Sequence, residues 1–143
     1  MREDNPPRIA QERDEIARCF SLMHQLRPAL TEPEFVARVE LQQAEGYRLA
    51  YLEYEGEIVA LGGFRLMNIL WSGKTMYVDD LVVDAALRSR GFGEKIVRWL
   101  EDLAKAQGCA TFALDSGTHR EEAHSFYFGM GLRISDFHFQ KKL

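Results

Sequence analysis

A strand-like apolar run that feeds a glycine-punctuated basic loop and then an amphipathic helix leaves a chain few folds to choose from, and here it spans Tyr77 to Gly108. The run carries adjacent carboxylates, Asp79 and Asp80, and the loop reads Arg88-Ser89-Arg90-Gly91-Phe92-Gly93. Ile96, Trp99, Leu100, Leu103 and Ala104 then recur at helical spacing before a stop at Gly108. A helix start offers backbone N–H groups without intrahelical partners and the positive end of a dipole, and glycine lets main chain come close to an anion. The stretch therefore predicts a phosphate cradle, although the loop alone is equally a strand-to-helix turn that needs glycine for its backbone angles. A dinucleotide fingerprint would want a further glycine where Ile96 stands, and a P-loop would want a wider glycine spacing followed by Lys-Ser/Thr. Neither pattern is present.

The elements around this stretch can be read from period and punctuation. Arg8 to Gln11 predicts a short edge strand, and Asp14 can cap a helix whose Ile16, Cys19, Phe20 and Met23 share a face before Pro28. Thr31 and Glu34 form a capping box for a second helix through Phe35, Val36 and Val39 to a stop at Gly46. Tyr47–Tyr54 and Glu57–Phe64 are strand-like and separated by Glu55-Gly56, a hairpin signal. Asn68 to Gly73 reads as a connector, and Lys74 to Val83 as the third strand of a meander. After the Gly91–Gly108 helix, Ala110–Leu114 predicts a short strand, which makes the strand–helix–strand unit a parallel crossover pair. Glu121–Met130 predicts a further helix and Leu132–Gln140 a last strand. Helices, then an antiparallel meander, then a crossover unit describe an α/β domain with a mixed sheet, here one domain over residues 1–143.

Composition narrows the partners. With 46% apolar and 28% charged residues the chain is of ordinary globular type, and a formal charge of −4 with no basic stripe argues against nucleic acid while mildly favouring a cationic small substrate. Cys19 and Cys109 sit in apolar surroundings without metal spacing, which favours buried free thiols and a reducing cytoplasm. Met1 to Pro7 lacks the apolar core of a signal peptide, and no run is long enough to span a bilayer, so no membrane partner is expected. His119, His124 and His138 do not share a metal-ligand spacing, and no metal is expected. Asp115, Ser116 and His124 are hydrolase residue types, but Leu114-Asp115-Ser116-Gly117 lacks the first glycine of a nucleophile elbow.

Arg88-Ser89-Arg90-Gly91-Phe92-Gly93, placed after a strand ending Asp79-Asp80-Leu81-Val82-Val83, resembles the Arg/Gln-x-x-Gly-x-Gly/Ala motif of the GNAT superfamily of N-acetyltransferases. Ala123-His124-Ser125-Phe126-Tyr127 followed by Gly129-Met130-Gly131-Leu132 is similar to a second landmark of that family. The resemblance runs from about Tyr47 to the C-terminus. It implies a mixed, mostly antiparallel central sheet with a splayed parallel pair and flanking helices. It also implies acetyl-CoA as acyl donor, with its pyrophosphate on the loop Arg88, Ser89, Arg90, Gly91, Phe92, Gly93 and Glu94, and its pantetheine arm along the main chain of Leu81, Val82 and Val83. Arg120 stands where many relatives have asparagine and is carried as a cofactor-binding candidate. Ser116 and Gly117 are expected to shape the cleft beside the donor.

The implied reaction is attack of an amine on a thioester. An alkylamine of pKa near 10.4 is neutral in only about one molecule in a few thousand at pH 7, so a base or proton path is needed. Asp80, ahead of Asp79, is the candidate, with a carboxylate that holds substrate ammonium or loop amides as the alternative. Neighbours on a strand face opposite ways, so only one should reach the cleft unless a bulge re-aims them. Tyr127 stands at the family's general-acid position, and His124, one helical turn earlier, is a relay or a packing neighbour. The acceptor is expected to be a small-molecule or peptide amine, polyamine-like, aminoglycoside-like or peptide, met by the early helices and the Asn68–Gly73 connector. The alternative is a CoA-binding sensor or structural module without transferase activity. A homodimer is left open.

Overall fold

The computed structural model describes residues 5–143, so Met1 to Asp4 of the N-terminal segment lie outside the described residues. Five strands form one sheet in the order β1-β2-β3-β4-β5. They are β1 (Arg8–Ala10), β2 (Arg48–Tyr54), β3 (Glu57–Ile69), β4 (Gly73–Val83) and β5 (Thr111–Leu114). The first three pairings along this order are antiparallel, and β4 with β5 is the one parallel pair. The β2–β3 turn has φ of 52° at Glu55 and 81° at Gly56, so Glu55 takes a left-handed conformation that glycine or asparagine would adopt more easily.

Helices α1 (Arg13–Arg18) and α2 (Phe20–Leu26) replace the single helix expected before Pro28, and Glu12 rather than Asp14 is the N-cap. The break falls at Cys19, whose N–H donates to Ile16 O, a tightened turn that interrupts the α ladder. The predicted stripe survives it: Ile16, Cys19 and Met23 are buried. Helix α3 (Glu32–Ala44) starts on the expected capping box, with Thr31 Oγ1 accepting from Glu34 N and Glu34 Oε1 accepting from Thr31 N. The three helices cover one sheet face in a core that includes Phe35, Val39, Tyr47, Leu49 and Leu61.

Helix α4 (Phe92–Ala106) packs on β3 at Gly62, where a Cβ would meet Leu100 Cδ1 at 2.8 Å. Its stop is as expected, with Gly108 at φ 79°. The Asn68–Gly73 connector proves shorter: Asn68 and Ile69 pair with Lys74 and Gly73, leaving a tip of Leu70, Trp71 and Ser72 with the first two exposed. Cross-strand pairing carries β3 past the point where its apolar pattern fades.

Contacts divide the chain into a unit through Ala113 and a smaller one from Leu114. The second holds α5 (Glu121–Gly129), and no residue from Leu132 to Leu143 is in a strand. The expected last strand is thus corrected. A strand exists only where a neighbouring edge accepts its N–H and C=O groups; here Leu132 N closes the α5 terminus on Tyr127 O, and Ile134, Phe137 and Phe139 stay exposed. Among the described residues no helix is long and apolar enough to cross a membrane.

Candidate active site

The register of β4 shifts at one place. Gly62 faces Leu81 and Gly63 faces Asp80, but Phe64 faces Val78, so Asp79 is an extra residue without a partner across the ladder. Residues directly opposite each other share a sheet face. The Gly63–Asp80 pair lies under Tyr47, whose ring would collide with any Cβ at Gly63, whereas the Gly62–Leu81 pair lies under Leu100 of α4. The bulge breaks the alternation of β4, and Asp79 and Asp80 both line one cavity of about 250 Å³ beneath α2 and α3. The expectation that only one carboxylate faces the cleft therefore gives way to the stated exception.

Both carboxylates are held by arginine. Asp79 accepts from Arg65 Nε at 2.9 Å and Arg65 Nη2 at 2.7 Å, a bidentate pair. Asp80 Oδ1 accepts from Arg27 Nε at 3.1 Å and Nη2 at 2.9 Å, and Oδ2 accepts from the Tyr47 hydroxyl at 2.8 Å. Burial, and then the charge and hydrogen bond of Asp80, push the Tyr47 phenol well above its ordinary range. Arg27, Arg65 and Tyr47 did not emerge from the sequence as site residues. The available signal was Gly62-Gly63 inside a strand, since mid-strand glycine marks a bulge or a close approach.

Beyond Asp80, Leu81, Val82 and Val83 pair with β3 on one side. On the other side β5 begins level with Lys74, whose carbonyl accepts from Ala110 N, and is only 4 residues long. In a parallel pair starting together, so short a strand ends before it can pair with Leu81–Val83 of β4.

The loop that follows leads into α4. Ser89 has φ 68° and Gly91 φ 86°, both left-handed, and Gly91 is an N-cap without a side chain to fill the first turn. The N–H groups of Phe92, Gly93 and Glu94 open the helix, where no preceding helical carbonyl can reach them. Arg90 lies over the rings of Tyr54 and Phe92, at 5.3 and 5.6 Å from their centroids. Glu94 Oε1 takes Arg98 Nη2 at 2.7 Å. Arg88 is exposed and has interactions of its own.

In the second unit, Tyr127 is buried on α5, and burial raises its phenol above the ordinary value while the charge and hydrogen bond of Arg120 pull it down. Arg120 stands at the N-cap of α5 and is thus a partner of the Tyr127 hydroxyl. His124 Nε2 donates to Gly117 O at 2.8 Å, which fixes the loop before α5 and leaves Nε2 engaged away from Tyr127. Ser116 Oγ is buried without a hydrogen-bond partner among the described residues.

Comparison with known proteins gives this arrangement a context. The profile of the Acetyltransferase (GNAT) family matches residues 11–131. An uncharacterised N-acetyltransferase of Bacillus subtilis (strain 168), YhdJ, is 32% identical over 131 residues, covering 90% of this chain and 92% of that protein. Glucosamine 6-phosphate N-acetyltransferase 1 of Oryza sativa subsp. japonica is 39% identical over 104 residues, 66% of this chain and 63% of its own. Aminoalkylphosphonate N-acetyltransferase of Salmonella typhimurium (strain LT2) is 32% identical over 101 residues, 68% of this chain and 62% of its own. Among solved structures, the aminoglycoside N-acetyltransferase AAC(6′)-Iy in complex with CoA superposes with a TM-score of 0.83 at 14% identity, covering 99% of this chain and 97% of that one, which is a likeness of fold.

Proposed function

The chain belongs to the acetyltransferase (GNAT) family, and we propose that it works as an acetyl-CoA-dependent N-acetyltransferase, moving the acetyl group to a primary amine by direct attack within a ternary complex. One observation carries the reading: a main-chain edge at Leu81–Val83 that β5 is too short to pair with leads, through a loop with left-handed Ser89 and Gly91, into a helix opened by Gly91 without a capping side chain. These residues fit the donor. The edge offers N–H and C=O groups to a pantetheine arm, and the α4 start offers N–H groups to a pyrophosphate. Each such charge-assisted bond is worth about 1.5–3 kcal/mol. Arg88, Ser89, Arg90 and Glu94 border that start, with Arg90 stacked on Tyr54 and Phe92 so that its charge sits beside it.

Acetyl-CoA, when bound, supplies the thioester that the amine attacks. The chain's residues have to receive the amine, take its proton and protonate the departing sulfur. Asp79 and Asp80 hold the amine end. An ionised carboxylate has about four acceptor positions; Asp80 has already taken two bonds from Arg27 and one from Tyr47, while Asp79 takes two from Arg65. Asp79 thus keeps more room for a substrate N–H, which moves the base role toward it from Asp80. Tyr127 is the acid: burial favours its neutral, proton-bearing form, and Arg120 stabilises the phenolate left after transfer. The two relatives named for their acceptors act on glucosamine 6-phosphate and on aminoalkylphosphonates, both small amines.

The test is an amine panel with acetyl-CoA in which free thiol and acetylated amine are both quantified. Equal amounts of the two are expected. Thiol without acetylated amine would instead indicate hydrolysis, and binding of acetyl-CoA in a calorimeter with neither product would indicate a CoA-binding sensor or structural module.

A further inference from the structure

The cavity under α2 and α3 has a charge pattern that neither the net charge nor the donor motif foretells. Its floor is Asp79 and Asp80, and apolar walls come from Phe35 and Val39. The charge of each floor carboxylate is already matched by an arginine, Asp79 by Arg65 and Asp80 by Arg27, so a polycation entering the cavity would find no unmatched negative charge there. The opposite holds on the α3 side. Arg38 and Gln42, one helical turn apart and thus on one face, both line the cavity, and neither side chain is hydrogen-bonded among the described residues. Of the carboxylates close to Arg38 on α3, Glu40 is paired with Arg13, and Glu34, which feels the Arg38 charge, has its Oε1 taken by the Thr31 capping box.

We propose that this cavity is the acceptor site and that it selects a compact amine carrying an oxyanion, with the oxyanion on Arg38 and Gln42 and the ammonium on the open acceptor positions of Asp79 and Asp80. The proposal rests on the transferase reading for the reaction but not for the binding. A guanidinium presents a planar fork of donors that matches two oxygens of a phosphate or carboxylate, and the Gln42 amide adds a further donor. The size agrees: about 250 Å³ falls below the roughly 300–1,000 Å³ of pockets that enclose drug-sized ligands, so the acceptor is a small molecule and not a folded chain. An amine without an anion leaves Arg38 with nothing to bind, and an anion without an amine leaves the carboxylate floor unused.

Two matched pairs of amines test this, phosphoethanolamine against ethanolamine and γ-aminobutyrate against butylamine, so that the phosphoryl and carboxylate sources of the oxyanion are read separately. The anionic member of at least one pair should be acetylated with a kcat/KM roughly tenfold or more above its neutral partner. In Arg38→Ala that ratio should collapse toward one through KM, and Arg38→Lys should restore part of it. The same four compounds are titrated by NMR into the wild-type and Arg38→Ala proteins. If no acetylated product forms but the anionic amines bind wild type and not Arg38→Ala, the transferase reading falls and this one stands. Equal ratios in wild type and Arg38→Ala, or shifts in both proteins alike, would overturn the proposal.

Discussion

Tyr127 is the residue on which the proton assignment turns. Tyr127→Phe should lower kcat by roughly 10² while acetyl-CoA affinity, measured by calorimetry, stays close to wild type. An unchanged kcat in single-turnover measurements rejects the role. Because burial raises this phenol above its ordinary value of 10.0, it stays protonated into more alkaline solution than a free tyrosine, so loss of the acid should not reduce kcat below that pH. Tyr127 was legible in the sequence because its landmark is local, with Phe126 before it and Gly129 after. Asp79 and Asp80 were legible for the same reason. Their partners were not: Arg27 lies 53 residues from Asp80, Tyr47 33 residues, and Arg65 14 residues from Asp79, and nothing local ties such pairs together.

At the scale of elements, the start of α4 makes the sharpest statement. Gly91 sits at φ 86°, where a side chain costs about 1–2 kcal/mol, yet a Cβ there would meet nothing within 4 Å. Gly91→Ala should therefore lower the urea midpoint through backbone conformation alone, and weaken acetyl-CoA binding to the extent that the loop relaxes; urea titration and calorimetry read the two effects separately. An unaltered midpoint would show that the loop reaches this angle without strain. The helices α3 and α4 were legible because each carries its own start signal and apolar period. Three boundaries were not. Cys19 breaks a continuous apolar stripe through a tightened turn that no residue type announces, β3 runs on through Asn68 and Ile69 because β4 pairs with it, and residues Leu132 to Gln140 alternate well enough for a strand but are not paired in one.

For the molecule as a whole, the proposed donor site and the proposed acceptor cavity involve consecutive parts of β4, so ligand binding at either should feed directly into the stability of the unit through Ala113. Acetyl-CoA at about 100 times its Kd should add roughly 2.7 kcal/mol to the stability of the folded state. Differential scanning fluorimetry across a concentration series checks this, and a melting temperature indifferent to acetyl-CoA would contradict the donor site. Much of the order of elements was legible from the chain, since glycine stops and caps fall between periodic segments; the proposed acceptor-binding pair was not, because only the packing of α3 on the sheet brings Arg38 and Gln42 to the cavity lined by Asp79 and Asp80. The extra residue at Asp79 has one more consequence. Two neighbouring carboxylates share a face only because β4 is one residue longer than its partner at that point. Deleting a single position there would return the strand to strict alternation, send one carboxylate through the sheet and strand an arginine. Replacing side chains while keeping the count would not. The arrangement of this site is therefore written partly as a number of residues, and a substitution that keeps the number leaves both positions on the same face of the sheet.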